Sequence, residues 1–199
     1  MARSAVGFAV LIVLCACGGG GPASAAHPSA TPTSLVTTLP PGAAPSGPSA
    51  AGPDRCHTGG LSLATLSTPN GGAGNFVQEF GLTNRTGVAC WVYGYVGMAL
   101  LDAGGNLLPT RVVRDTGSRF AFAHVGQYTV QPGATAPFWV HWEDVPVGSQ
   151  SACTTSAGLT LTPPDETTQL RLNGVRITAC NGGELDVSPV TAPGTIGPG

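Results

Sequence analysis

The stretch QPGATAPFWVHWE, residues 131–143, combines the two features that decide the fold. It opens with Gln-Pro-Gly, a typical turn sequence, because proline presets φ and glycine adopts conformations that other residues avoid. After this turn, apolar residues occupy every second position: Ala136, Phe138, Val140 and Trp142. Side chains of a β-strand alternate between two faces, so this period of two predicts a strand with one buried face.

The same alternation recurs on both sides of this stretch. Phe76, Phe80 and Leu82 share one predicted strand face, and the sequences NRTG (residues 84–87) and DAGGN (residues 102–106) supply turns. Shorter alternating sets follow nearer the C-terminus: Leu159 and Leu161, Leu170 and Leu172, and Val175, Ile177 and Ala179. We find no helical period and no repeat, and therefore predict an all-β domain, an antiparallel β-sandwich with immunoglobulin-like architecture. The immunoglobulin signature itself is absent, because Trp91 directly follows Cys90.

Composition excludes several classes of protein. Charged residues make up 9% of the 199 residues, the formal net charge is −2, and lysine is absent. A polybasic surface for nucleic acid is therefore not expected, and nucleic acid is not a predicted partner. The 30 glycines and 18 prolines also argue against a long helical bundle or a coiled coil.

The N-terminus has the features of a bacterial lipoprotein signal peptide. A short basic start is followed by an apolar run from residue 5 to residue 14, which is too short for a permanent membrane helix. Leu14 and Ala16 then precede Cys17 in the pattern of a lipobox, whereas the large Leu14 before Cys15 disfavours acylation there. We predict a signal peptide over residues 1–16 and a lipid anchor on Cys17 at the outer face of the cell membrane. Ordinary secretion is the alternative.

The remainder divides into a tether, a domain and a tail. Residues 17–55 contain mostly Gly, Pro, Ala, Ser and Thr, a composition that cannot bury enough apolar surface to fold. We expect a disordered tether there, a folded domain over residues 56–190 and a flexible tail over residues 191–199.

Four cysteines lie in the predicted domain: Cys56, Cys90, Cys153 and Cys180. An even number in an exported chain indicates two disulfides, although three pairings are possible. We predict the sequential pairing, Cys56–Cys90 and Cys153–Cys180, which closes two moderate loops. Zinc binding is disfavoured because no two of these cysteines are close in sequence.

His141 and Glu143 are the strongest candidates for chemistry. They lie two positions apart on a predicted strand and thus share a face, where they could supply two metal ligands. A third ligand would have to come from His124 or His57. The simpler interpretation, which we favour, is a half-buried histidine followed by the solvated acids Glu143 and Asp144.

Other polar groups give weaker signals. Asp165 and Glu166 follow two prolines and are expected to be exposed acids, and no G-x-S-x-G nucleophile motif occurs. Three arginines could bind an anion, but a solvated strand edge is the favoured interpretation: Arg111, Arg114 and Arg119. Three alternating aromatics are expected to be core, or, if exposed, a platform for sugar or peptide: Trp91, Tyr93 and Tyr95. We therefore predict no catalytic residue, no metal and no cofactor.

A series of motifs in the domain resembles an uncharacterised family of exported mycobacterial and streptomycete proteins. The series comprises GGAGN (residues 71–75), LTNRTG (82–87), GYVG (94–97), VQPGATA (130–136) and VSPV (187–190), together with Trp142 and the four domain cysteines. Members of this family, which are often lipoproteins, carry a domain of unknown function. The resemblance implies an all-β, four-cysteine domain and no established activity.

Taken together, the sequence predicts a lipid-anchored envelope protein that is not an enzyme. Its domain is expected to bind an envelope protein or glycan, or to be structural. The alternatives are a metal or small-ligand carrier that uses His141 and Glu143 and, less favoured, an envelope hydrolase.

Overall fold

The computed structural model describes residues 52–114, 117–148 and 153–197. The predicted signal peptide, Cys17 and almost all of the predicted tether lie outside the described residues. No helix in the described ranges has the length and apolar character that a membrane crossing demands.

The described residues form β-strands joined by turns, with two single-turn 3-10 helices at Thr58–Gly60 and Ser118–Phe120. In chain order the strands are β1 (Leu61–Thr65), β2 (Asn70–Gly72), β3 (Asn75–Asn84), β4 (Cys90–Tyr93), β5 (Gly97–Leu101), β6 (Arg111–Arg114), β7 (Gln127–Val130), β8 (Thr135–Glu143), β9 (Thr154–Thr155), β10 (Gly158–Thr162), β11 (Leu170–Asn173), β12 (Thr178–Ala179) and β13 (Glu184–Val187). The all-β prediction is confirmed.

One large sheet and several smaller ones build the sandwich. The large sheet has the order β1-β3-β8-β13-β6, with β2 added to β3, and β5, β10 and β11 form a three-stranded sheet. The pairs β4–β7 and β9–β12 are separate two-stranded sheets. Pairing is antiparallel except between β13 and β6, which are parallel, so the antiparallel prediction holds for every described strand pair but that one.

The long strands β3 and β8 form the centre of the large sheet, and their register sets the core. Phe80 lies opposite Phe138 and Phe76 opposite Trp142, with ring centroids 5.7 and 5.8 Å apart. All four rings pack into the main core, as the alternation predicted. A one-residue slip would turn every one of these rings to the other face, so burial of the rings fixes the register.

The main core is the space between the large sheet and the smaller sheets. Leu100 of β5 and the pair Leu159 and Leu161 of β10 are fully buried there against the central strands. The opposite face of β8 carries a smaller apolar cluster, in which Trp139 packs with Phe120 and Ala123. Trp139 belongs to the second set of alternating positions on β8, the set that also includes His141.

Both predicted disulfides are present, Cys56–Cys90 and Cys153–Cys180. The first joins the start of the domain to β4, and the second joins the segment before β9 to the end of β12. Each disulfide closes a loop of about 30 residues and stabilises the folded domain by about 3–4 kcal/mol on the chain-entropy model.

The chain beyond residue 190 continues with a buried residue, Thr191, whose N–H donates to the carbonyl of Pro137.

Candidate functional site

We expected His141 to be half-buried, and that prediction is wrong. The residue is almost completely buried, with 2% of its surface exposed. Its Nδ1 lies 3.0 Å from Oδ2 of Asp186 on β13. Its Nε2 lies 2.9 Å from a guanidinium nitrogen of Arg119 and 3.2 Å from Oδ1 of Asn75 on β3. A carboxylate accepts, so Nδ1 carries the proton that is donated to Asp186. Nε2 faces both a donor, the Arg119 guanidinium, and an acceptor, the Asn75 amide oxygen, so it can accept from the first or, when protonated, donate to the second. Buried polar groups are expected to have partners, and those of His141 come from three separate segments of the chain.

Glu143 shares the face of His141 but interacts with a different group. Its carboxylate accepts a hydrogen bond of 3.2 Å from the side-chain amide of Asn181. Both residues line a small cleft of about 100 Å³, together with Arg119, Asp186 and Glu184. His57 and His124, the proposed third ligands, do not line this cleft, and no group of three His, Cys, Asp or Glu side chains suited to a metal occurs among the described residues.

The prediction that Glu166 is an exposed acid is wrong, whereas Asp165 is exposed. The side chain of Glu166 is 11% exposed, and it accepts hydrogen bonds from the backbone N–H and the hydroxyl of Thr58, at 3.1 and 2.8 Å. His57 Nδ1 and an Arg55 guanidinium nitrogen contact its other oxygen, at 3.0 and 3.1 Å. These donors, chiefly Thr58, lower the pKa of Glu166 to about 2.

Glu166 therefore joins the segment after Pro163-Pro164 to the beginning of the domain. No local pattern indicates this contact, because the two partners lie 108 residues apart in the chain.

The three arginines are separated, and each has a different partner. Arg111 forms an ion pair with Glu184, Arg114 lies 5.9 Å from the ring centre of Tyr95, and Arg119 contacts Asp186 at 3.5 Å. Strand β6, which carries the first two, lies at an edge of the large sheet, as predicted. Charged side chains on such a strand oppose pairing with another chain.

The aromatic residues of β4 do not form core, so that prediction is wrong. The core face of β4 carries Cys90 and Val92, and Tyr93 on the other face is 49% exposed. Gly94 follows with φ of 96°, a conformation that favours glycine, and the regular alternation ends there. Tyr93 and Tyr95 both line one shallow groove.

We call this feature the Tyr93 groove; its volume is about 320 Å³. Besides the two tyrosines and Gly94 it is lined by Arg114, Val125, Pro164 and Asp165. Arg114 lies over the ring of Tyr95, so Tyr93 is the more exposed of the two tyrosines that line the groove. The groove combines an exposed aromatic surface with one cationic and one anionic group, the composition of a recognition surface.

Comparison with known proteins identifies one family. The family described as "Domain of unknown function (DUF4232)" matches residues 56–191. No curated protein and no solved structure has significant similarity to the chain. The match covers more than half of the chain and includes all four domain cysteines. The chain therefore belongs to the DUF4232 family.

Proposed function

We propose that this protein is a lipid-anchored envelope protein whose β-sandwich is a non-catalytic binding module, with the Tyr93 groove as its binding surface for an uncharged envelope glycan. The observation that carries the proposal is the exposed Tyr93 ring, 49% accessible on a strand whose first residue is held by a disulfide. A rigid strand presents a ring in one orientation, which limits the entropy lost on binding.

Sequence features support the anchor. Leu14, Ala16 and Cys17 follow the apolar segment in lipobox order, and two or more acyl chains hold a protein stably on a membrane. The two disulfides of the domain agree with export, because such bonds persist in oxidising compartments. The composition of residues 17–55 suits a spacer between membrane and domain.

The composition of the groove favours a glycan. A sugar ring presents an apolar C–H face that packs on an aromatic ring, while its hydroxyls both donate and accept hydrogen bonds. Arg114 supplies donors and Asp165 supplies acceptors beside Tyr93. Their charges cancel, so an uncharged ligand fits this groove better than an anion or a cation.

The surroundings of His141 support a non-catalytic function. Its Nδ1 interacts with Asp186 and its Nε2 with Arg119 and Asn75. The neighbouring Glu143 interacts with Asn181. A general base needs a nitrogen within hydrogen-bond reach of the substrate proton. Arg119 and Asn75 would have to move away from Nε2 before this nitrogen could act as a base or bind a metal.

Binding of the purified full-length protein to insoluble envelope polysaccharide tests this function. Tyr93→Ala should weaken retention at least tenfold, whereas Tyr93→Phe should retain most of it, because the stacking surface remains. Leu107→Ala is the matched control, since Leu107 is also an exposed apolar residue, at 70%. Equal retention of the wild type and Tyr93→Ala would contradict the proposal, and so would a Tyr93-dependent partner that is a protein and not a polysaccharide.

A further inference from the structure

A second groove crosses the outer face of the large sheet, on the side of β3 and β8 away from the main core. Its volume is about 620 Å³. One wall is the connection between β1 and β2, including Leu66, and the other is the C-terminal segment, including Ile196. Val77 and Trp139 line it from the sheet. We call this feature the Glu79 groove, after the one titratable residue that lines it.

The apolar lining of the Glu79 groove is held in place from two sides. The Trp139 ring packs edge-on against Phe122, with centroids 4.8 Å apart. The C-terminal backbone lies so close to the indole that a Cβ atom at Gly197 would fall 2.2 Å from its Nε1. Leu66 and Ile196 at the rim remain 45% and 88% exposed, so apolar surface faces the groove without a partner.

Glu79 gives this groove its charge. It lies directly opposite Trp139 in the β3–β8 register. Its backbone is fixed by two bonds, from its N–H to Ser67 Oγ and from the Leu66 N–H to its carbonyl. Within the described residues, its carboxylate has neither a hydrogen-bond donor nor a cationic partner.

The unpaired carboxylate is partly shielded from water. Burial raises the pKa of Glu79 above its usual value, because removing water from a carboxylate disfavours the charged form. A cation placed against it would restore the lost stabilisation. The chain has no lysine, and no arginine lines the groove.

We propose that the Glu79 groove binds a small organic ammonium ion with an apolar body. The ammonium would donate to the Glu79 carboxylate, and the body would lie against Leu66, Val77 and Ile196. The volume falls in the range of about 300–1,000 Å³ that is typical of small-ligand sites. One carboxylate is too few oxygen ligands for a metal cation, which favours an organic ion. This inference does not depend on the Tyr93 groove.

The test uses the full-length protein and 2-phenylethylammonium as the probe, with 2-phenylethanol as the uncharged counterpart. Binding is measured by NMR titration of the backbone amide and indole signals. We expect the ammonium to shift the signals of Val77, Glu79 and Trp139, and to bind at least tenfold more tightly than the alcohol. Glu79→Gln should reduce ammonium affinity at least tenfold and leave the weak binding of the alcohol unchanged.

Glu184→Gln is the matched control, because it makes the same change of charge at a carboxylate that does not line this groove. It should leave the affinity for the ammonium unchanged. Leu66→Ala should weaken the binding of both probes, because both use the apolar wall. The proposal is overturned if the alcohol binds as tightly as the ammonium, if Glu79→Gln binds the ammonium like the wild type, or if the shifted signals lie elsewhere.

Discussion

Replacing Glu166 by Gln should destabilise the domain, although the two side chains have nearly the same shape. The carboxylate of Glu166 accepts from the N–H and hydroxyl of Thr58, a residue that is only 4% exposed. Glutamine offers one oxygen in place of two and presents an NH₂ group to the donors on Arg55 and His57. In Glu166→Gln the side-chain NH₂ group therefore faces the donors of Arg55 and His57 and repels them. The hydrogen bonds from Thr58 then go to a neutral oxygen and are weaker than those to a carboxylate.

The size of this effect follows from the individual contacts. Hydrogen bonds to a charged group contribute about 1.5–3 kcal/mol, and neutral ones about 1 kcal/mol. The Arg55 and His57 side chains are 37% and 58% exposed, so each of their ion pairs adds only about 0–1 kcal/mol. Losing the charge on Glu166 should thus lower the free energy of unfolding by about 2 kcal/mol. For a domain of this size, that corresponds to a fall in Tm of about 4–8 °C.

Urea unfolding at several pH values provides the assay, with Asp165→Asn as the control. Asp165 has the same charge and is exposed, and asparagine tolerates its φ of 57°. The lowered pKa of Glu166 means that the folded state favours its ionised form, so this stabilisation is present above pH 4.5 and is lost as the pH falls toward about 2. The difference between the wild type and Glu166→Gln should shrink over that interval. A Glu166→Gln protein as stable as the control at pH 7, or a difference that persists at pH 2, would refute the reasoning.

Three further substitutions have defined outcomes. Cys17→Ala should move the protein from the membrane fraction to the soluble fraction, and only the wild type should incorporate radioactive fatty acid; unchanged membrane association would contradict the anchor. Cys90→Ser should lower the free energy of unfolding by about 3–4 kcal/mol and expose one reactive thiol on Cys56, as measured by thiol titration and urea unfolding. His141→Ala should lower it by about 2 kcal/mol, because the buried bond to Asp186 is lost. The same variant should match the wild type in assays with peptide, ester and glycan substrates, and any activity that it lacks would indicate a catalytic His141.

Sequence patterns predicted the central strands because each of them has one buried face along its length. In β3 and β8 the period of two assigns every second residue to the core, and the aromatic residues at those positions are large enough to make the assignment unambiguous. The disulfide pairing was also predicted correctly, as the sequential one of the three possible pairings. The parallel pairing of β13 with β6 could not be predicted. About 70 residues separate the two strands, and the sequence of neither strand indicates which strand it pairs with.

The sequence contains the information that corrects the prediction for β4. That prediction assigns the aromatic residues at positions 91, 93 and 95 to the core face, because aromatic residues bury the most area. Cys90, however, was expected to form a disulfide, and disulfide cysteines are usually buried. Its neighbour on the same face is Val92, so the period of two places Tyr93 outside. One covalent constraint therefore predicts the face of this strand better than side-chain size does.

The contacts of Glu166 and Glu79 were beyond sequence analysis for a different reason. Each carboxylate lies beside segments that are distant in the chain: Thr58 donates to Glu166, and the C-terminal segment lines the same groove as Glu79. In the sequence, both are single acids without a distinctive neighbour. The fold gives them opposite properties: hydrogen-bond donors lower the pKa of Glu166, and burial without a partner raises that of Glu79.

The beginning of the domain is attached to the strand that carries the Tyr93 groove. The Trp91 N–H donates to the carbonyl of Asp54, the Cys56 N–H donates to the carbonyl of Trp91, and the disulfide joins Cys56 to Cys90. The first residues of the domain are therefore attached to β4 through two backbone hydrogen bonds and a covalent bond. This arrangement fixes the strand that carries Tyr93 relative to Asp54 and Arg55. A second connection leads from the same residues to the groove, because Arg55 donates a hydrogen bond to the backbone carbonyl of Asp165 and forms an ion pair with Glu166. The beginning of the domain therefore holds two walls of the Tyr93 groove, β4 and the segment with Pro164 and Asp165.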